Sequence, residues 1–278
     1  MNKLNSQVRW LAHSRTAVIW GVLAALAGLT AINVYACLWR TRPPPDPLAA
    51  TMTQLATLDS SQRQKVCAHR SNNVPKYRAA GKIFDCIEMD VVLDPPAGGP
   101  PAVYHPPAEN NHGLSLRFLL TNEGLPRGKL WLDVKDLAQD NWAPFLDLLT
   151  ELVPPERRPD VIVETSWSDS TVRAAAAAFR DKGFLVSYYL PTDEALACGV
   201  DVSAACNDLR SEVLQATELG FSHLSFDARA REFVDTIRGR LAPSVRLLTW
   251  DLSETWSERD LIDGVDVYIV IFPDPFTT

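Results

Sequence analysis

Acidic residues are absent from the first 42 residues of this 278-residue chain, although that stretch holds five basic ones. The rest of the chain shows the opposite imbalance, 22 basic against 34 acidic residues, for a formal charge of −12. A folded part with this charge lacks the basic surface that binds nucleic acid or an anionic membrane. We therefore expect no nucleic-acid partner. A phosphate-bearing substrate would need a metal ion and a few placed cations.

The sequence also lacks a Gly-rich phosphate loop, a Cys-x-x-Cys pair, an internal repeat and a long low-complexity tract. Nucleotide-binding open sheets carry such a glycine loop after their first strand. Five cysteines are present, none with zinc-site spacing. We expect Cys198 and Cys206 to form a disulfide if the domain lies outside the cytoplasm, and we expect Cys67 and Cys86 to be free thiols.

Charge is missing from Thr16 to Trp39, and this run of 24 residues exceeds the roughly 20 that span a bilayer core. The basic residues before it favour a cytoplasmic N-terminus and a domain on the non-cytoplasmic side. A cleaved signal peptide is the main alternative, because Val34-Tyr35-Ala36 resembles a cleavage site. A lipoprotein anchored at Cys37 is less favoured because Tyr35 is bulky.

We thus predict a single-pass membrane protein. Its parts are a cytoplasmic tail at 1–15, a transmembrane helix at 16–39, a Pro-rich linker at 40–59 and one domain at 60–278.

Eight apolar runs follow the linker, and most are nearly continuous, as in parallel strands buried on both faces. The predicted strands are 65–70, 86–93, 130–135, 160–167, 185–190, 223–228, 245–251 and 265–272. Helical patterns occur at 115–122, 142–152, 168–182, 207–219 and 230–241. Eight strands with helices between them predict a (β/α)8 TIM barrel, with an open doubly wound sheet as the alternative.

The second predicted strand carries two carboxylates, Glu88 and Asp90, which share a face because side chains alternate along a strand. Ile87, Met89 and Val91 point the other way, as a helix-covered strand requires. Two buried carboxylates are costly unless a cation compensates them. A hard divalent cation, Mg²⁺ or Ca²⁺, is the simplest compensation.

Further polar or aromatic side chains recur at the ends of other predicted strands, where a barrel has its active face. These are His69 and Arg70, His105, Asp133 and Lys135, Glu164, and Trp250. The alternative for the charged residues is a structural network of ion pairs without a metal. Trp250 is alternatively a core residue. His112 and His223 are interpreted as structural.

These motifs, in this order, resemble those of the glycerophosphodiester phosphodiesterases, within the phospholipase-C-like phosphodiesterase barrels. The resemblance covers residues 65 to 276 and includes Trp250 in the seventh strand and a closing Gly264-Val265-Asp266 strand. Ser71 stands where the family usually has Gly, and Pro106-Pro107 follows the second histidine. The His105-Pro106-Pro107 run is more similar to the menorin-like branch of the superfamily.

The resemblance implies a membrane-anchored, metal-dependent phosphodiesterase acting on glycerophosphodiester or phospholipid-type phosphodiesters. Its implied metal ligands are Glu88, Asp90 and Asp133. Its implied catalytic residues are His69, His105, Arg70 and Lys135, and its substrate-binding residues are Arg70, Lys135 and Trp250. The alternative is a non-catalytic anchored binding domain on a degenerate barrel, favoured by the Pro after His105 and by the absence of the family's Pro-Glu-Asn-Thr run.

Overall fold

The structure is a computed structural model that describes residues 47–96, 98–107, 110–165, 170–250, 265–270 and 272. No helix within these ranges is long and apolar enough to cross a bilayer. The predicted tail at 1–15 and transmembrane helix at 16–39 lie outside the described residues.

The described helices are α1 (Pro47–Thr57), α2 (Ser60–Arg63), α3 (Val74–Ile83), α4 (Leu116–Asn122), α5 (Trp142–Leu152), α6 (Ser170–Asp181), α7 (Thr192–Cys198), α8 (Ala204–Glu218) and α9 (Arg231–Arg238). The described strands are β1 (Val66–Ala68), β2 (Cys86–Val92), β3 (Ala102–Val103), β4 (Lys129–Val134), β5 (Val161–Thr165), β6 (Leu185–Tyr189), β7 (His223–Asp227), β8 (Arg246–Trp250) and β9 (Val267–Val270). Short 3₁₀ turns occupy Pro155–Asp160 and Ala228–Ala230.

Eight of these strands run parallel and form a closed ring of pairings. The order is β1, β2, β4, β5, β6, β7, β8, β9, and β9 pairs again with β1. The short β3 pairs antiparallel with the carboxyl-terminal end of β2. The prediction of a parallel α/β barrel is therefore confirmed, and the open sheet is excluded. The crossover at 251–264 lies outside the described residues.

The bounds of all eight predicted strands differ from the observed bounds by a few residues at most, and helix α5 has the predicted bounds. The prediction was wrong for the start of α8, which begins at Ala204 and not at residue 207. Helices α3 and α7 were not predicted. Strand β1 ends at Ala68, so His69 and Arg70 lie in the loop after the strand rather than within it.

Alternation along the strands divides the core into two layers. Ile87, Met89 and Val91 belong to the main apolar core, shared with residues of the helices. The opposite faces of the strands form a second cluster inside the ring, including Cys67, Cys86, Trp131, Ile162 and Leu248. The inward-facing acidic side chains at the carboxyl ends of β2, β4 and β5 lie above that cluster.

Two disulfides are present. Cys67 of β1 is joined to Cys86 of β2 with the Cα atoms 4.4 Å apart, so the expectation of free thiols at this pair was wrong. Both residues face the ring interior from paired strands, which brings their sulfur atoms together. Cys198 is joined to Cys206 with a Cα distance of 5.4 Å, as expected for an oxidising compartment.

Residues assigned from the sequence to the end of the linker take part in the folded unit. Helix α1 covers most of the stretch from residue 47 to 59. Leu55 and Leu58 are buried in the main core cluster. The compact unit defined by contacts begins at Pro47.

Candidate active site

A cavity of about 350 Å³ opens among the inward-facing side chains at the carboxyl ends of the strands. It is lined by every residue for which the sequence predicted a catalytic, metal-binding or substrate-binding role, namely His69, Arg70, Glu88, Asp90, His105, Asp133, Lys135 and Trp250. They come from strands or loops far apart in sequence and meet because the ring closes. Their roles remain predictions, but their convergence is a property of the fold.

Three carboxylates form the centre of this cavity. Glu88 and Asp90 are 2% and 1% exposed, and Asp133 is half-buried. Asp90 and Asp133 are register partners on adjacent strands, so their side chains leave the sheet side by side. One oxygen of each of the three residues lies within 4.8 Å of the others. This set of hard oxygen donors fits a divalent cation.

The charge on these carboxylates is uneven. Burial, followed by repulsion from Asp90 and Asp133, raises the pKa of Glu88 well above its ordinary value. Burial also raises the pKa of Asp133 despite its contact with Lys135. At Asp90 burial acts in the same direction, but Lys135 and Asn72 outweigh it and lower the pKa. Without a further cation, the cavity therefore favours ionisation at Asp90 over Glu88.

Lys135 provides the cationic partner. Its Nζ lies 2.7 Å from Oδ1 of Asp90 and also contacts Oδ2 of Asp133. Burial disfavours the ammonium form, but the two carboxylates outweigh burial and raise the pKa of Lys135. The sequence predicted that Asp133 and Lys135 converge with Glu88 and Asp90 of β2. In the structure, Lys135 forms ion pairs with Asp90 and Asp133.

The loop after β1 folds back onto β2. Arg70 has a positive φ of 49°, an uncommon conformation for a residue with a side chain. Its backbone N–H donates to Oε2 of Glu88 at 2.6 Å. Its side-chain Nε lies 3.9 Å from Asp90 and, among the described residues, has no hydrogen-bond partner. A cationic donor therefore remains available at the cavity wall.

The two histidines approach the carboxylates from different sides. Nε2 of His69 lies 3.9 Å from Oε2 of Glu88, and Nε2 of His105 lies 4.0 Å from Oδ1 of Asp90. Burial, followed by the charge of Arg70, lowers the pKa of His69 to about 3. His69 is therefore a neutral imidazole near pH 7, which has a nitrogen lone pair able to accept a proton.

Asn72 is a site-positioning residue that the sequence did not reveal. Its Nδ2 donates to Oδ2 of Asp90 at 2.8 Å, and its Oδ1 accepts from the backbone N–H of Asp90 at 3.0 Å. A polar residue in a loop rich in Ser and Asn carries no sequence signal for this contact. Only the pairing of β1 with β2 brings the two together.

Five further residues line the cavity, and two of them, Val134 and Ile269, are aliphatic. Glu164, singled out from the sequence without an assigned role, faces it from β5. Burial, followed by repulsion from Asp133, raises the pKa of Glu164 to about 8. Tyr189 and Trp131 were not predicted, although Trp131 precedes Asp133 by two residues and so shares its face. Tyr189 stacks on Trp250, with ring centroids 6.2 Å apart and planes at 13°.

The two other histidines in the described part of the chain do not line this cavity. His112 is exposed on a loop. His223 begins β7 at the opposite end of the barrel, where Oγ of Ser222 lies 2.7 Å from its Nδ1. The structural interpretation of both residues agrees with these positions.

Neither a protein-family model nor a curated protein matches this chain. Among solved structures, it is similar to the glycerophosphodiester phosphodiesterase from Agrobacterium tumefaciens str. C58. The TM-score is 0.42 and the identity 14%, over 75% of this chain and 96% of that one. The name of that protein agrees with the resemblance seen in the motifs, while the menorin-like branch stays a prediction. The likeness is distant, and the function proposed below is derived from the side chains of the cavity.

Proposed function

We propose that the domain is a metal-dependent phosphodiesterase that hydrolyses a small phosphodiester of the glycerophosphodiester or phospholipid type. The observation that carries this proposal is the cavity itself. It combines three clustered carboxylates, two fixed cations and two imidazoles. A phosphodiester anion entering a site with three carboxylates needs positive charge at the point of contact. Arg70 and Lys135 supply part of it.

Glu88, Asp90 and Asp133 are the residues that would hold a divalent cation. Their donor atoms are all oxygens. Burial, followed by repulsion from Asp90 and Asp133, raises the pKa of Glu88, and a bound cation would offset that repulsion. Mg²⁺ and Ca²⁺ both take such ligands. When bound, the cation would polarise a phosphate oxygen and neutralise developing charge.

The two histidines divide the proton transfers. His69 is neutral, and we assign it the proton of the attacking hydroxyl, which belongs to water or to the substrate itself. As the new P–O bond forms, the P–O bond to the departing alcohol breaks, and His105 gives that oxygen a proton. Asp90 lies 4.0 Å from Nε2 of His105 and so faces the imidazole to which this step is assigned. Arg70, with its available Nε, binds a phosphate oxygen.

The test combines metal binding with turnover. Mg²⁺ and Ca²⁺ are titrated calorimetrically into wild type, into Glu88→Gln and into Glu151→Gln, which changes an exposed carboxylate far from the cavity. Hydrolysis of bis(4-nitrophenyl) phosphate is followed with and without chelator. We expect wild type and Glu151→Gln to bind the ion and to lose activity with chelator. Glu88→Gln should lose both. If wild type binds neither ion at millimolar concentration, the proposal is wrong.

A second candidate function, a non-catalytic binding domain, is favoured by one contact. Lys135 already pairs with Asp90 and Asp133, so part of the carboxylate charge is compensated within the protein. In that case the cavity would bind an anionic ligand without cleaving it. The same metal titration distinguishes the two candidate functions, because a binding domain whose carboxylates are compensated by Lys135 does not require the metal ion.

We further propose that the chain is held at the membrane by residues 16–39, with the domain on the non-cytoplasmic side. The uncharged run supports the anchor, and the two disulfides support an oxidising compartment. Protease added to intact cells or spheroplasts should digest the domain. Unfolding without reductant should expose one reactive thiol, that of Cys37, against five after reduction. Five thiols in both conditions, or digestion only after lysis, would contradict this location.

A further inference from the structure

Strand β1 is joined to β2 by a short stretch of pairing. Among the described residues, the register of β1 with β2 is confined to Ala68 opposite Ile87, whereas β2 pairs with β4 from Cys86 to Val91. We call the contact of β1 and the loop after it with β2 the seam. Backbone pairing alone therefore holds β2 less firmly at the seam than on its other side.

The seam joins groups that meet in the cavity. The backbone N–H of Arg70, in the loop after β1, donates to Oε2 of Glu88 at 2.6 Å. Asn72 of the same loop donates to Oδ2 of Asp90 at 2.8 Å. Because Arg70 has the uncommon φ of 49°, the loop depends on these contacts to keep a conformation that its own backbone disfavours. The geometry of this part of the site is thus set by how closely the loop stays against β2.

The Cys67–Cys86 disulfide crosses the seam directly below these contacts. Cys67 precedes His69 by two residues, and Cys86 precedes Glu88 by two residues on the same face of β2. Both cysteines are 0% exposed, and their Cα atoms are 4.4 Å apart. A covalent bond here limits the separation of the two strands at the point where their backbone pairing is shortest.

The second disulfide lies away from the cavity. Cys198 ends α7 and Cys206 lies in the first turn of α8, with a sequence separation of 8. Neither residue lines the cavity, and neither helix carries a residue that does. Both disulfides restrict the unfolded chain and so stabilise the fold. Of the two, only Cys67–Cys86 joins elements that lead directly into the site.

We propose that the Cys67–Cys86 disulfide is a positioning element of the site. It holds the loop at 69–72 against β2, so that His69 and Arg70 face the carboxylates of β2 at the distances described above. Its effect on turnover rests on the proposed function, whereas its effect on the loop is a property of the metal-free protein. Loss of the bridge should therefore alter the loop whether or not the domain is an enzyme.

The test compares three full-length chains: wild type, Cys67→Ala/Cys86→Ala, and the control Cys198→Ala/Cys206→Ala. Urea titrations give the unfolding free energy of each chain, and all further measurements are made under conditions where each is folded. Both double variants should lose stability, because each lacks one cross-link. A positioning role predicts that they differ in the properties of the loop and the cavity.

Hydrogen–deuterium exchange of single backbone amides in metal-free buffer reports on the loop. The N–H groups of Arg70 and Ser71 both donate to Glu88 across the seam. The reference is the N–H of Lys135, which donates to the carbonyl of Val91 on the other side of β2. Without the seam disulfide, exchange at the two loop amides should rise about tenfold or more relative to the reference. The control variant should keep the wild-type ratio.

Metal binding and turnover report on the consequence for the site. Calorimetric titration of Mg²⁺ and Ca²⁺ and hydrolysis of bis(4-nitrophenyl) phosphate are measured for all three chains. The variant without the seam disulfide should lose roughly 10²-fold in kcat, the effect of misplaced catalytic groups, with a smaller change in KM. It should also bind the ion more weakly, because Glu88 loses a fixed hydrogen bond. The control should keep wild-type kcat and metal affinity despite its lower stability.

The inference fails if exchange at Arg70 and Ser71 changes no more than at Lys135, or if both double variants lose kcat equally, because the bridge then only stabilises the fold. Faster exchange at the seam in a protein that binds no ion and hydrolyses no diester leaves the positioning role intact and refutes the proposed function. Should Cys67→Ala/Cys86→Ala not fold, the control chain folded with and without reductant gives the same comparison. Cys67–Cys86 is then the only disulfide that the cysteines of the described residues can form.

Discussion

Lys135 and Asp90 form an ion pair across the neighbouring strands β4 and β2, with 2.7 Å between Nζ and Oδ1. The same ammonium group contacts Asp133, so one cation serves two carboxylates. The stability of the metal-free barrel therefore depends on Lys135 more than on any exposed ion pair of similar geometry.

Replacing Lys135 with Met should destabilise the metal-free domain by about 3 kcal/mol, because it leaves the buried Asp90 and the half-buried Asp133 without their cation. The free energy of unfolding from urea titrations measures the effect. Millimolar Mg²⁺ or Ca²⁺ should recover part of the loss by supplying the missing charge. Arg117→Met, which breaks an exposed pair with Glu151, is the control and should change stability far less. Equal effects of the two substitutions would contradict the prediction.

Replacing Glu88 with Gln should stabilise the metal-free domain at neutral pH. The pKa of Glu88 is raised in the folded state, first by burial and then by its two acidic neighbours. Its contribution to stability is thus present below its ordinary pKa of 4.5 and is lost as the pH rises through the raised value. The variant has no such loss. Urea titrations from pH 4 to pH 8 should show wild type falling below Glu88→Gln; curves that stay parallel would show that Glu88 is not strained by its neighbours.

Replacing His69 with Ala should separate chemistry from metal binding. His69 lies 3.9 Å from Glu88 but is not among the three carboxylates that cluster, so the variant should keep the calorimetric affinity for the ion. Turnover of bis(4-nitrophenyl) phosphate should fall by roughly 10²–10⁴-fold, the range for loss of a general acid or base. Loss of the ion together with activity would assign His69 to the metal site instead.

Replacing His223 with Gln should reduce the loss of unfolding free energy that occurs as the pH falls from 7 to 3. Burial, followed by the charges of Lys129 and Arg246, lowers the pKa of His223 to about 3. Its contribution is present above its ordinary pKa of 6.5 and is lost as the pH falls towards 3, on the order of a few kcal/mol. His112→Gln, on an exposed loop, should leave the limb unchanged. The comparison uses unfolding free energies between pH 3 and pH 7.

Much of the barrel followed from periodicity alone. Near-continuous apolar runs bounded by turn residues gave the strands, because a strand covered on both faces must be apolar on both. Helices α3 and α7 were missed for a physical reason. Helix α7 has seven residues and α3 is rich in polar residues, so neither presents a long apolar face to recognise.

The candidate site was predictable where charged residues or histidines interrupt or directly follow apolar strands, and unpredictable where it depends on a contact between separate parts of the chain. Glu88, Asp90, Asp133 and Lys135 follow from alternation within apolar strands. The disulfide between Cys67 and Cys86 depends on the register that sets the two sulfur atoms side by side inside the ring, which no local pattern gives.

The double contact of Asn72 with Asp90 has a thermodynamic consequence for anything that binds here. Asn72 holds both the carboxylate and the backbone N–H of Asp90, so contacts within the protein already select the rotamer of this acid. The rotational entropy of Asp90 is lost during folding and not when a ligand arrives. Asp90 is thus a preorganised group when a ligand arrives, as is Glu88, whose Oε2 accepts from the backbone N–H of Arg70.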